Sequence, residues 1–266
     1  MTRLPSTAQG LILDMDGVLW TDSAPIGDLP RTFARIKELN LAVALATNNS
    51  TRTVTQYVER LRGFGVEVEP WQVVTSSLAV ADLMAQKLPA GAPIFAIGEA
   101  GLKEVLAGVG FELLSVEQAE HAEAVVIGID REINFEKMRE ATLLVRAGKP
   151  FFATNPDKTF PTPRGQIPGA GAWFSVIVTA TEVEPVIAGK PFPHILAMAL
   201  ERLGTPKATT YVVGDRLETD IAGGQGLGCP TALVLSGVAT LAQAQAWQPQ
   251  IDLVAADLAA LVGAGS

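Results

Sequence analysis

The sequence GLILDMDG at residues 10–17 places two aspartates, Asp14 and Asp16, directly after a short apolar run. A continuous apolar run of this length predicts a strand buried on both faces, as in a parallel sheet. Two carboxylates at the end of such a strand cost folding free energy unless a cation or a function compensates. The alternative interpretation is a simple turn at Asp16 and Gly17.

Short apolar runs alternate with helix-like segments along the rest of the chain, a pattern typical of the α/β class with a doubly wound parallel sheet. The predicted strands include residues 10–13, 42–46, 73–74, 186–188, 211–213 and 231–235. Predicted helices cover residues 29–39, a segment from about residue 51, a segment that Pro191 opens and Gly204 stops, and part of the tail after residue 239. Ligands of such sheets bind beyond the carboxyl ends of the strands.

A long segment between the strand-end motifs has strands of its own at residues 94–97, 124–129 and 150–153, and a helix at 135–147. We therefore predict a core formed by residues 1–78 and 180–266, with an inserted α/β domain at residues 79–179. The predicted hinges lie near residues 75–76 and 180–181.

The chain has 20 Lys and Arg against 28 Asp and Glu, a formal net charge of -8. Such a balance argues against nucleic-acid or anionic-membrane binding through a general basic surface. No apolar run reaches membrane-spanning length, and residues 1–10 lack the pattern of a signal peptide. The single cysteine, Cys229, cannot form an intrachain disulfide, so nothing argues for an oxidising compartment. With no signal-peptide pattern either, the expected location is the cytoplasm. The sequence leaves a homo-oligomer open.

Polar motifs follow two further predicted strands. Thr47 and Asn48 lie between a strand and a helix start, where hydroxyl, amide and backbone N–H groups can hold a phosphate. Ser50 is interpreted as the N-cap of that helix. Lys190 would supply the counter-charge for carboxylates and a bound phosphate.

The motif GDRLETD at residues 214–220 adds Asp215 and Asp220 at another strand end. Carboxylate oxygens suit Mg²⁺, which also binds substrate phosphate. Glu218, between the two aspartates, is either a ligand or a solvent-facing residue of the next helix. His121 and His194 are interpreted as structural or surface residues.

Taken in this order, the four motifs resemble those of the haloacid dehalogenase (HAD) superfamily over nearly the whole chain. The finer resemblance is to its NagD-like and 4-nitrophenylphosphatase-like branch, carried by residues 47–50, 153–157 and 189–191 and by the long insertion. The resemblance implies a HAD Rossmann-like core with an inserted α/β cap domain.

The resemblance also implies a Mg²⁺-dependent phosphatase for small soluble phosphate esters, such as sugar phosphates or nucleoside monophosphates. Asp14 would be the nucleophile that forms an aspartyl-phosphate, and Asp16 the general acid and base. The implied phosphate ligands are Thr47, Asn48 and Lys190. The implied metal ligands are Asp14, the backbone carbonyl of Asp16, Asp215 and, in or beside that shell, Asp220.

Two alternatives remain beside the phosphatase. A phosphotransferase or phosphomutase on the same scaffold would share the first half-reaction. A non-catalytic receiver-like domain would pair the same residue types, but such domains are about half this length and lack the insertion. Asn155, Asp157, Arg164 and residues 168–171 are candidates for substrate selection, with a loop and hinge as the alternative for 168–171.

Overall fold

A computed structural model of the protein describes residues 3–162 and 164–264. The strands are β1 (Gly10–Leu13), β2 (Trp20–Thr21), β3 (Ala24–Pro25), β4 (Ala42–Thr47), β5 (Val73–Thr75), β6 (Pro93–Ile97), β7 (Glu112–Leu113), β8 (Ala124–Ile127), β9 (Phe151–Ala153), β10 (Thr159–Thr162), β11 (Gly165–Pro168), β12 (Val186–Ile187), β13 (Thr210–Gly214), β14 (Thr231–Val234) and β15 (Leu253–Ala255). The helices are α1 (Leu29–Glu38), α2 (Val54–Gly63), α3 (Ser76–Ala85), α4 (Ala100–Val109), α5 (Phe135–Arg146), α6 (Ala170–Thr181), α7 (Pro193–Leu203), α8 (Ala222–Leu227), α9 (Leu241–Ala246) and α10 (Leu258–Val262).

Packing divides the chain into two units, and the first is the core unit, which contains residues up to 47, residues 55–74 and residues from 190 on. Its six-stranded sheet has the order β15-β14-β13-β1-β4-β5. β1 pairs in parallel with β13 on one side and with β4 on the other. Later strands extend the sheet in both directions from β1, so the predicted doubly wound α/β sheet is confirmed.

β1 lies at the centre of this sheet because its side chains are apolar throughout. Leu11, Ile12 and Leu13 are fully buried. In the strand register, Leu13 is opposite Val213 of β13 and Leu45 of β4. The residues that follow these strands therefore share one edge of the sheet, as predicted from the strand ends.

The inserted unit contains residues 48–54 and 75–189. Its five-stranded sheet has the order β12-β9-β8-β6-β7, and all four neighbouring pairs are parallel. Phe95, Val125 and Phe151 belong to a buried apolar cluster in this unit, with contributions from α5 and α6. The predicted inserted α/β domain is confirmed as part of the fold class.

The domain limits 1–78, 79–179 and 180–266 stay a prediction. The two packing units include several residues on the other side of those limits. β12 pairs with β9 in the inserted unit, although residues 180–266 were assigned to the core. Ser76 and Ser77 also belong to the inserted unit, because their hydroxyls donate to the carbonyl oxygens of Asn48 and Ser50.

Several local features differ from the prediction, among them helices α3, α4 and α6 and the hairpin of β10 and β11, which were not predicted. Helix α2 begins at Val54 rather than near Thr51. The hairpin of β2 and β3 and the short strand β15 were not predicted either, because these segments are too short for periodicity alone to reveal them. Within the described part of the chain, no helix is long and apolar enough to cross a membrane.

Candidate active site

The chain turns sharply after β1 and leaves Asp14 and Asp16 at the sheet edge. The amides of Val18 and Leu19 donate to the carbonyl oxygen of Met15, whose side chain is fully buried. Asp14 and Asp16, on either side of the buried Met15, are both partly exposed. Gly17 closes the turn with φ of 83°, a conformation that other residues rarely adopt.

Lys190 brings two of the predicted strand ends together. Its Nζ donates to Asp14 Oδ1 at 2.6 Å, to Asp220 Oδ1 at 2.6 Å and to the carbonyl oxygen of Ala46 at 2.9 Å. Burial opposes the charge of Lys190, but the two carboxylates outweigh burial and raise the pKa of its ammonium. Lys190 is therefore a cation held between two carboxylates.

The third carboxylate, Asp215, follows β13 and is almost fully buried. Its Oδ2 accepts a hydrogen bond from the amide of Val238 at 2.7 Å. Its Oδ1 is buried with no hydrogen-bond partner among residues 3–162 and 164–264. Burial and the nearby charge of Asp220 raise the pKa of Asp215 to about 6.

Asp14, Asp215 and Asp220 form a cluster in which one carboxylate oxygen of each lies within 4.8 Å of the others. Burial raises the pKa of Asp14 well above its ordinary value, and although the Lys190 ammonium lowers it, Asp220 and Asp215 raise it further. Three mutually repelling carboxylates and one unpartnered oxygen on Asp215 suit a divalent cation.

Asp220 contributes to this cluster in a different way from Asp215. Its Oδ1 accepts from Lys190 and its Oδ2 accepts from the amide of Arg216 at 3.1 Å. Both oxygens therefore have partners, and the contacts of Asp220 orient Lys190. Asp215 differs, because its buried Oδ1 has no hydrogen-bond partner among the described residues. A cation would therefore stabilise this oxygen more than either oxygen of Asp220.

Asp16 lies outside the three-carboxylate cluster. Its Oδ1 accepts a hydrogen bond from Nε1 of Trp20 at 2.8 Å. Trp20 is itself fixed by stacking on Tyr57, with ring centroids 6.4 Å apart, and by the guanidinium of Arg60 above its ring. No sequence pattern predicts this role of Trp20, because the contact depends on the turn after β1 rather than on a recognisable spacing.

Thr47 and Asn48, the two other predicted phosphate ligands, fall in different units. Thr47 is the buried last residue of β4 in the core unit. Asn48 belongs to the inserted unit, where its side-chain amide donates to Asp157 at 3.2 Å and its carbonyl oxygen accepts from Asn155 at 2.7 Å. Phosphate binding by either residue stays a prediction.

The interpretation of Ser50 as a helix N-cap is wrong. Helix α2 begins four residues later, at Val54, and the Ser50 hydroxyl is buried without a partner among the described residues. A cap must lie directly before the first helical residue for its oxygen to reach the free amides.

The surroundings of the remaining candidates are as follows. Glu218 is exposed in the helical turn Leu217–Ile221, which favours its interpretation as a solvent-facing residue. His121 is exposed beside Glu120, and Arg164 is exposed in the turn between β10 and β11. The glycines of residues 168–171 are explained by packing, since a Cβ on either would overlap backbone carbonyl oxygens of residues 156–157.

Comparison with known proteins identifies the family. A family model for haloacid dehalogenase-like hydrolases matches residues 11–112, and a HAD-hydrolase-like model matches residues 187–261. An acid sugar phosphatase of Staphylococcus epidermidis is 38% identical over 232 residues, which cover 87% of this chain and 88% of the relative. The protein belongs to the haloacid dehalogenase-like hydrolases.

Solved structures of other haloacid dehalogenase-like hydrolases have the same architecture. A p-nitrophenyl phosphatase from Archaeoglobus fulgidus matches with a TM-score of 0.89 and 36% identity over 97% of this chain and 99% of its own. A glycerol phosphate phosphatase from Mycobacterium tuberculosis, in complex with magnesium, matches with a TM-score of 0.89 and 31% identity over 97% and 78%. These relationships confirm the predicted family, fold class and class of enzyme.

The raised pKa of Asp215 predicts how stability depends on pH in this haloacid dehalogenase-like hydrolase. Its ordinary value is 3.8, so between about pH 4 and 6 the folded state binds more protons than the unfolded state. The free energy of unfolding without metal should therefore fall as the pH rises through that window, by an amount on the order of 3 kcal/mol. Urea titrations in a chelator, with Asp215→Asn as the control, would measure it.

The Asp215→Asn variant should lose part of this pH dependence and be more stable than the unmodified chain at pH 7 without metal. An identical slope in both proteins would contradict the role of Asp215 burial. Saturation with Mg²⁺ should also flatten the slope of the unmodified chain, because a bound cation favours the ionised carboxylate.

Proposed function

We propose that this protein is a Mg²⁺-dependent phosphatase that hydrolyses small phosphate monoesters, with Asp14 as the nucleophile. The observation that carries the proposal is the cluster of Asp14, Asp215 and Asp220 around the Lys190 ammonium at the carboxyl ends of β1 and β13. The phosphatase activities in the names of the relatives supply the reaction class. Sugar phosphates and nucleoside monophosphates are the proposed substrates, and the cytoplasm the proposed location.

In the first half-reaction, a carboxylate oxygen of Asp14 attacks phosphorus and the bond from phosphorus to the ester oxygen breaks. Asp16 gives its proton to the departing oxygen, which keeps the electron pair of the broken bond. The Trp20 indole, which donates to Asp16 Oδ1, holds the carboxyl group in one orientation for this transfer. The products are an alcohol and an aspartyl-phosphate on Asp14.

In the second half-reaction, water attacks the phosphorus of the aspartyl-phosphate. Asp16, now ionised, accepts the proton of that water, and the bond from phosphorus to the Asp14 oxygen breaks. Inorganic phosphate leaves and Asp14 returns to its carboxylate form. The same residue thus serves as acid in one step and as base in the next.

Mg²⁺, held by Asp14, Asp215 and the backbone carbonyl of Asp16, would neutralise charge so that an anionic nucleophile can approach an anionic phosphate. Lys190, already oriented by Asp220, adds a fixed positive charge beside Asp14. Thr47 and Asn48 are proposed to bind the transferred phosphoryl group. Asp220 is proposed to orient Lys190 and to lie beside the metal ligands rather than among them.

The direct test is phosphate release from a panel of sugar phosphates, nucleoside monophosphates, glycerol phosphate and 4-nitrophenyl phosphate, with Mg²⁺ and with chelator. We expect release that requires Mg²⁺. Folded, metal-loaded protein that releases no phosphate from any ester would contradict the proposal, and transfer to an added alcohol in place of water would identify a phosphotransferase.

Asp16→Asn should separate the two half-reactions. With 4-nitrophenyl phosphate the leaving group needs little protonation, so the variant should release a rapid burst of about one nitrophenolate per enzyme. Turnover should then fall by about 10²–10⁴-fold, because the aspartyl-phosphate lacks its general base. Stopped-flow absorbance measures the burst, and steady turnover with no burst would contradict the assignment.

A further inference from the structure

The loop of residues 236–238, which follows β14, packs against Asp215 although no sequence motif includes it. Its Val238 amide donates to Asp215 Oδ2 at 2.7 Å, and the next amide, of Ala239, donates to the Asp215 carbonyl oxygen at 3.0 Å. The loop therefore holds Asp215 at both its carboxylate and its main chain.

Gly237 lies so close to this carboxylate that a side chain has no room. A Cβ on Gly237 would lie 2.6 Å from the Cβ of Asp215 and would overlap its Cγ and Oδ2. The backbone of Gly237 is outside the left-handed region, so the lack of space alone excludes other residues. Any substitution here must displace Asp215.

A second glycine, from the turn after β1, touches the same group. A Cβ on Gly17 would lie 2.5 Å from both Cγ and Oδ2 of Asp215. The two loops are joined by Ser236, whose hydroxyl donates to the Gly17 carbonyl oxygen at 2.7 Å. Oδ2 of Asp215 is thus held by an amide and packed against two glycines, while Oδ1 has no partner among the described residues.

We propose that the loop of residues 236–238 is a positioning element that fixes Asp215 so that Oδ1 is presented to the divalent cation. The inference rests on the proposed function, since it assumes that Asp215 is a metal ligand. Gly237 acts by leaving space for the carboxylate, Val238 by fixing Oδ2, and Ser236 by joining the loop to the turn that carries the nucleophile.

The test is Mg²⁺ binding to the metal-free full chain, measured by isothermal titration calorimetry, for Gly237→Ala and for Gly226→Ala. Gly226 lies exposed in α8 with open space around a built Cβ, so it is a matched control for the same change. We expect Gly237→Ala to raise the Kd for Mg²⁺ by about 10–100-fold, as losses of groups that orient metal ligands do. Gly226→Ala should leave the Kd unchanged.

Thermal unfolding in chelator separates a local effect from a global one. If Gly237→Ala does not fold, Ser236→Ala replaces it, because this change removes one hydroxyl and adds no atoms. That variant should raise the Kd for Mg²⁺ severalfold while its melting temperature in chelator stays close to that of the unmodified chain.

The outcomes distinguish this inference from the proposed function. An unmodified chain that binds no Mg²⁺ would overturn the metal site itself. An unmodified chain that binds Mg²⁺, with folded Gly237→Ala or Ser236→Ala variants that bind it equally well, would overturn the positioning role of the loop and leave the metal site intact.

Discussion

Replacing Asp14 by asparagine should lower Mg²⁺-dependent phosphate release by about 10⁴-fold or more, because no aspartyl-phosphate can form. The nucleophile and the general acid and base act together. Losing the nucleophile therefore removes nearly all of the rate enhancement that these residues provide. Steady-state release from the best ester of the panel measures the loss. Mass spectrometry after rapid quenching should show a phosphorylated species in the unmodified chain and none in the variant.

The Asp14→Asn substitution replaces the side chain by one of nearly the same shape. The asparagine keeps the size of the side chain and an oxygen that can accept from Lys190, which now donates to Asp14 Oδ1 at 2.6 Å. Burial raises the pKa of Asp14, so a neutral amide at this position should not unfold the protein. A folded variant with more than about one per cent of the original rate would contradict a nucleophilic Asp14.

Replacing Lys190 by methionine should destabilise the protein by about 3–5 kcal/mol, which is typical when one partner of a buried ion pair is removed. The side chains of Asp14 and Asp220, only 12% and 2% exposed, would keep their carboxylates without the ammonium between them. The loss should be larger at pH 8 than at pH 5, since burial raises the pKa of Asp14 and its carboxylate can take up a proton more readily at the lower pH. Urea titrations in chelator measure it.

Two further variants make this prediction specific. Adding Asp220→Asn to Lys190→Met removes one of the two uncompensated charges and should recover part of the lost stability. Lys137→Met is the matched control, because Lys137 pairs with the single buried carboxylate of Asp130 at 2.8 Å in the inserted unit. If Lys190→Met proves no more destabilising than Lys137→Met, the interpretation that Lys190 compensates two buried carboxylates is wrong.

The sequence alone determined the positions of three strand ends in the core sheet that carry candidate functional groups. The apolar runs that precede Asp14, Thr47 and Asp215 correspond to β1, β4 and β13 within one residue. Parallel strands buried on both faces leave this signal in the sequence because they are apolar throughout. Polar residues directly after them must then meet at one edge of the sheet, and this made the aspartate cluster predictable.

The hydrogen-bond partners of these carboxylates depend on the tertiary structure. Asp220, predicted in or beside the metal shell, uses both oxygens on Lys190 and Arg216, while Asp215 keeps one oxygen without a partner among the described residues. The Trp20 contact to Asp16 and the loop of residues 236–238 against Asp215 were not predicted at all.

Secondary structure and side-chain pairing differ because they depend on residues at different separations along the chain. Strand and helix patterns depend on neighbours within a few residues, so periodicity records them. The hydrogen bond from Lys190 to Asp14 joins residues 176 positions apart, and its donor could equally have met another carboxylate at the same edge. Which oxygen accepts from which donor depends on close packing of whole elements, and that is decided only when the chain has folded.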